Sequence, residues 1–266
     1  MSSSSTPLWL GSASVALCGG LAYINPRLGW IGLFATMFWA IRATVPALST
    51  KYVAWYRERS PQDINDKLLW CNTTVSLVHS AMSAALSLAV LAMDPVHDWV
   101  HSCSPLAVIC LSLSTGYFIY DFYDMVVGNL YVRAHGILVH HIMVTLCYVL
   151  ALHYKVAVPY LVVMLLLEIN SVWLHARKLL SMVGFTLRNR VYAMSWHALW
   201  LTFYTTRVLL PLAVHVGVTL DRHRFPHAIQ FAVAFGGTGV LHVLNYLVYV
   251  GCNKAYSKEK KQLKVA

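Results

Sequence analysis

Only ten of the 266 residues are acidic, and three of those ten sit where carboxylates are rare. Asp121, Asp124 and Glu168 lie inside apolar stretches, as does the adjacent pair His140 and His141. A histidine can take the proton from an attacking nucleophile, and a nearby carboxylate can orient the ring and stabilise the imidazolium. Ionisable groups in hydrocarbon are costly and usually face a bundle interior or a cavity. These five residues are therefore the candidate catalytic set. Asn72, His79, His197, His242 and Asn245 share the same kind of surroundings and are candidates for lipid binding or for supporting the first five.

The elements that must position them are membrane helices. The chain is 58% hydrophobic and only 11% charged, with a mean hydropathy of +0.60. A soluble domain carries roughly 25% charged residues. Composition thus excludes a soluble or disordered chain and leaves an all-α, polytopic transmembrane bundle. About 20 apolar residues cross a bilayer, and eight such segments are expected, near 8–24, 29–48, 69–92, 105–127, 137–153, 157–175, 192–218 and 227–250. Asn25-Pro26-Arg27 makes a tight turn between the first two, and Pro211 should kink the seventh. The N-terminus has no basic run before its first apolar segment, so that segment is expected to be retained rather than cleaved.

The net charge of +10 reads as topology. Of the twenty Lys and Arg, fourteen fall on one side of the eight-span drawing, four on the other, and Arg42 and Arg207 within spans. The positive-inside rule then places both termini in the cytoplasm. Basic residues confined to loops give no reason to expect nucleic-acid binding. The Lys258–Lys264 tract reads as a topology signal or as attraction to anionic lipid. Arg207 reads as half of a structural ion pair or as a side chain that snorkels outward.

Depth is the informative quantity. At about 1.5 Å per residue, the candidate residues on six different spans lie roughly 5 to 15 Å below the cytoplasmic edge. One polar layer is the expectation. Asn72, Ser76, His79 and Ser83 fall at i, i+4, i+7 and i+11, a single stripe on one helix face. His140 and His141 are about 100° apart, so only one can point squarely into a shared centre. No metal site is expected. The His97/His101, His135/His140/His141 and His223/His227 groups fall on opposite sides of the membrane, about 30 Å apart. Neither a CxxC nor a GxSxG occurs. The cysteines read as reduced packing residues, and Cys252 as either a free thiol or an acylation site. The Asn72-Thr73-Thr74 sequon, on the cytoplasmic side, should go unused.

Gly116-Tyr117-Phe118-Ile119-Tyr120-Asp121-Phe122-Tyr123-Asp124, then Leu138-Val139-His140-His141-Ile142-Met143, resembles the TLC-domain family. So do Trp70-Cys71-Asn72 with Ser76 and His79 upstream, and Glu168-Ile169-Asn170-Ser171 downstream. The likeness covers roughly residues 60–253, with two helices and a basic loop before it (1–59) and a basic cytoplasmic tail after it (254–266). It implies a core of six helices around a lipid-accessible cavity. In the ceramide synthases of this family the double histidine and nearby aspartates transfer an acyl group from acyl-CoA to a sphingoid amine. His140, His141 and Asp121 match those positions. The synthases' next motif, His-Asp-x-Ser-Asp, is here Leu167-Glu168-Ile169-Asn170-Ser171.

The motifs are more similar to the small TLC domain-containing proteins 1 and 2, which regulate membrane phospholipid composition and fluidity. The resemblance therefore implies a lipid-homeostasis protein whose partners are membrane lipids and phospholipid acyl chains. It leaves open an acyltransferase of the ceramide synthase type, with acyl-CoA as co-substrate, and a non-catalytic lipid carrier or assembly factor. No other cofactor is implied. The plasma membrane is the expected address, with the endoplasmic reticulum as the alternative.

Overall fold

The computed structural model describes Ala16, residues 19–133 and residues 135–265. The first expected span and the N-terminal cap of the chain fall largely outside the described residues. Within them the chain is helical, with no strand. Seven helices are long and apolar enough to cross a membrane. They are α1 (Pro26–Tyr52), α2 (Ile64–Met93), α3 (Pro105–Val127), α4 (His135–Tyr154), α5 (Val158–Met182), α6 (Arg190–Arg224) and α7 (Ala228–Val265). Each matches one expected span, so the polytopic all-α bundle is observed.

Local chemistry sets the starts. Asn25 caps α1 by accepting from Arg27 N at 3.1 Å, with Pro26 in the first turn, a position where a missing N–H costs nothing. Ser104 caps α3 by accepting from Ala107 N at 3.1 Å, again with a proline next. α7 runs well past its expected end near residue 250. No glycine or proline follows Gly251, and Lys, Glu, Gln, Leu and Ala sustain a helix into water.

Two helices are interrupted. α5 passes through a 3₁₀ turn at Leu165–Leu167 immediately before Glu168. α6 widens into a π-helical turn at Phe203–Leu209, ending just before Pro211. Proline offers no N–H to the carbonyl four residues back, and π turns collect at functional sites. The expected disturbance at Pro211 is therefore present, in the form of an inserted turn.

α3 is the most enclosed of the seven helices and α7 the least. α1, α2 and α4 pack around α3. A Cβ on Gly116 would stand 2.7 Å from Ala35 N and from Ile31 O, so α3 touches the α1 backbone there. This contact fixes the height at which α3 presents Tyr117, Phe118, Asp121 and Asp124. A second core joins α5, α6 and α7, and a third joins the ends of α6 and α7 around Tyr192, Trp196 and Cys252.

Candidate functional site

The polar residues fall into three knots and one cavity. The first knot joins α1 to α4. Asn72 Nδ2 donates to Asp121 Oδ1 at 2.6 Å and to Asp124 Oδ2 at 3.1 Å. Arg42 Nε stands 3.3 Å from Asp124 Oδ1 as an ionic contact. His141 Nε2 stands 3.4 Å from Asp121 Oδ2, both side chains almost fully enclosed. One carboxamide thus holds two carboxylates apart, a guanidinium offsets one, and an imidazole faces the other. The sequence puts Arg42 within a span without showing its role. A charge in an apolar segment was the signal that it needed a partner.

The second knot lies one to three turns deeper on α2. Ser80 Oγ donates to Glu168 Oε2 at 2.6 Å, and His79 Nδ1 is 4.0 Å from the same oxygen. His79 Nε2 meets Ser83 Oγ at 2.9 Å. The His79 ring lies flat on Tyr117, centroids 3.7 Å apart and planes within 6°. Tyr117 OH donates to Ser76 Oγ at 2.8 Å, and Ser76 Oγ in turn donates to Asn72 O. The expected stripe of Asn72, Ser76, His79 and Ser83 is therefore inward and buried. It links the first two knots.

The third knot centres on Arg207. Its Nε donates to Asn170 Oδ1 at 2.7 Å, one terminal nitrogen to Asn245 Oδ1 at 3.0 Å, and the other to Ser171 Oγ at 2.7 Å. Asn245 Nδ2 returns a bond to Arg207 O at 2.9 Å. Counted in an α-helical register, that carbonyl lies four residues before Pro211, which has no N–H to give it. Arg207 therefore points inward onto neutral oxygens. It neither snorkels out nor forms the expected ion pair, because α5 and α7 meet the π turn at this height. Asn245 belongs to this knot rather than beside the histidine pair.

The cavity is about 380 Å³ and lies among α4, α5, α6 and α7. His140 and Glu168 line it, and so do Met143, Cys147, Leu165, Leu241 and Leu244. Tyr160 and Gln230 line it farther along. His140 has no hydrogen-bond partner among the described residues. The Phe118 ring borders both the first knot and the cavity, 5.9 Å from the His140 ring and 5.5 Å from that of His141, and the two imidazoles are 5.6 Å apart. The adjacent histidines thus diverge: His141 enters the first knot and His140 the cavity.

Two candidates are not gathered in. His197 is exposed on α6. His242 is half-buried beside His215, ring centroids 5.5 Å apart. The single expected layer is therefore several separate groups. Cys252 is buried against the α6 end, so an acyl chain on it would have to displace that packing. No three His, Cys, Asp or Glu side chains among the described residues converge as metal ligands would.

Outside the spans, Asp98 ties two loops together. It accepts from His101 N and Val100 N and pairs with Arg224 at 2.8 Å. The backbone N–H of His101, that of Val100, the His101 ring and Arg224 hold its carboxyl down to about 2.

Seven membrane-length helices enclosing polar knots and an apolar slot define an integral, multi-pass membrane protein with an intramembrane chamber. Residues 69–250 match the TLC domain, and the chain belongs to that family. It is 32% identical to TLC domain-containing protein 2 of Danio rerio over 161 residues, 54% of this chain and 65% of that protein. It is also 32% identical to the Homo sapiens protein of the same name over 184 residues, 67% of each chain. The Mus musculus protein matches at 32%, and there the chain spans about half of its relative's length (52%). No solved structure matches.

Proposed function

We propose that this chain is a lipid-homeostasis protein that sets the acyl-chain composition of membrane phospholipids, and through it membrane fluidity. The observation that carries this reading is the cavity, apolar along its walls with His140 and Glu168 among its lining residues. Its volume falls in the usual ligand range, about 300–1,000 Å³. The lining runs from His140 to Tyr154 on α4, about 21 Å at 1.5 Å per residue. One leaflet's hydrocarbon is about 15 Å deep, half of the usual core, so a lipid acyl chain fits lengthwise. The carbonyl or head group would then meet His140, while Glu168, held by Ser80, also lines the cavity.

A second reading, acyl transfer of the ceramide synthase type from acyl-CoA, draws on the His141–Asp121 approach. There a carboxylate faces an imidazole, and His140 beside it reaches the cavity where an amine would bind. With the first reading the plasma membrane is the favoured address and the endoplasmic reticulum the alternative. Lipidomics of cells lacking the protein, rescued by wild type or by His140→Ala/His141→Ala, separates the two readings. Altered phospholipid unsaturation rescued only by wild type is the expected result. A selective loss of ceramides would favour acyl transfer. Full rescue by the inserted double variant would overturn both.

A further inference from the structure

The end of α7 is unlike the rest of the bundle. The helix has 38 residues, about 57 Å at 1.5 Å per residue, whereas the hydrocarbon core is about 30 Å thick. Its last turns must stand outside the hydrocarbon. The level of the interface is marked by rings. Trp196 and Tyr256 are 5.0 Å apart, and Trp200 and Tyr249 5.8 Å; Trp and Tyr gather where hydrocarbon meets head groups. Lys254 is level with this belt, and Lys261 is about 8 Å beyond Tyr256 along the helix.

Lys254, Lys258 and Lys261 fall at i, i+4 and i+7, a single face, and all three are exposed. The opposite face is committed to the protein. Cys252 is buried there. Glu259 accepts from Tyr192 OH at 2.8 Å and Trp196 Nε1 at 3.1 Å, and pairs with Arg177 at 3.5 Å. Glu259 is the one acidic residue in the sequence after Asn253. The helix therefore spends its only local carboxylate inward and leaves its lysines without a neutralising partner of its own.

We propose that this lysine face is a docking surface for the anionic head groups of phospholipids in the leaflet through which α7 emerges. An acidic protein segment would offer the same charge. The lipid is favoured by placement: the face points away from the bundle, at head-group height, where lipid surrounds the protein. A basic residue near an anionic surface gains about fivefold, equivalent to about 1 kcal/mol. Three together should give a preference of about a hundredfold, falling as salt shortens the Debye length from about 8 Å toward 3 Å.

The test uses the full chain in nanodiscs of phosphatidylcholine containing a trace of dansyl-labelled phosphatidylserine or dansyl-labelled phosphatidylcholine, with tryptophan as energy donor. Transfer should be stronger to the serine lipid and should equalise near about 1 M salt. Lys254→Gln/Lys258→Gln/Lys261→Gln should remove the preference, and the matching triple Arg variant should keep it. Equal transfer to both lipids in the wild type, or a preference that survives the Gln variant or high salt, would overturn the proposal. So would tight capture of a polyglutamate peptide by a wild type that shows no lipid preference, which would assign the face to an acidic protein.

Discussion

Asn245→Leu is the sharpest probe of the third knot, because the structure says what its two bonds replace. Asn245 Oδ1 accepts from Arg207, and its Nδ2 donates to the Arg207 carbonyl. In an α-helical register residue 211 would serve that carbonyl, and a proline cannot. Interhelical hydrogen bonds inside membranes contribute about 0.6 kcal/mol each on average, up to about 1.7. Losing both should cost about 1–3 kcal/mol of stability in detergent or bicelles. Pro211→Ala restores a backbone N–H to the same carbonyl. In that background the Asn245→Leu penalty should shrink by the carbonyl's share, about 0.6–1.7 kcal/mol. A double-mutant cycle read by thermal or steric-trap unfolding measures the coupling. Strictly additive effects, within about 0.3–0.5 kcal/mol, would refute the pairing of Asn245 with the proline gap.

Gly116→Val should be severe, since its first added carbon meets α1 backbone at 2.7 Å. Overpacking costs about 1–3 kcal/mol, and a loss of monodisperse protein in size-exclusion chromatography is the expected result; normal expression would refute the close contact. His140→Ala and His141→Ala should separate. The first should leave the melting temperature unchanged and remove the lipid phenotype. The second should lower stability by about 1–3 kcal/mol, because it strips a partner from buried Asp121. Asp98 supplies a pH dependence. Its pKa lies below the ordinary value of about 3.9, so its contribution is complete above that value and is lost as pH falls through about 2. Protease sensitivity of the loops joined by Asp98 and Arg224 should rise over that interval, and Asp98→Asn should abolish the change.

The spans were legible because apolar length and loop charge are local properties, and each of the seven membrane-length helices among the described residues overlaps a segment picked by hydropathy. The α2 stripe was legible for the same reason: Asn72, Ser76, His79 and Ser83 needed only the 3.6-residue period. Depth alone, however, made the polar residues look like one layer. Depth counts residues from a membrane edge and says nothing of the direction around each helix axis. His197 and Asp121 share a depth range, yet one is exposed and the other enclosed. The partners of Arg207 are not legible in the sequence because they depend on the π turn at Phe203–Leu209 in which it lies, where an α-helical count no longer gives the facing. A proline at 211 signalled a disturbance but not its form.

The three knots also bear on which residue function must explain. Of the five candidates for chemistry, Asp121, Asp124, His141 and Glu168 each have a polar side chain against them. Those contacts also hold helices together: α1 to α4 through Asp124 and Asp121, α2 to α5 through Glu168. A structural role alone would account for Asp121 and Asp124, whereas buried His141 Nδ1 is left without a hydrogen-bond partner among the described residues and Glu168 also lines the cavity. That role does not account for His140. A polar group in an apolar wall costs free energy unless something pairs with it, and leucine at 140 would pack the same wall without that cost. His140 instead lines the cavity with no hydrogen-bond partner among the described residues, its ring 5.6 Å from that of His141. The single variant His140→Leu is therefore the cleaner functional probe than the double histidine change, since it spares every bond that the fold uses.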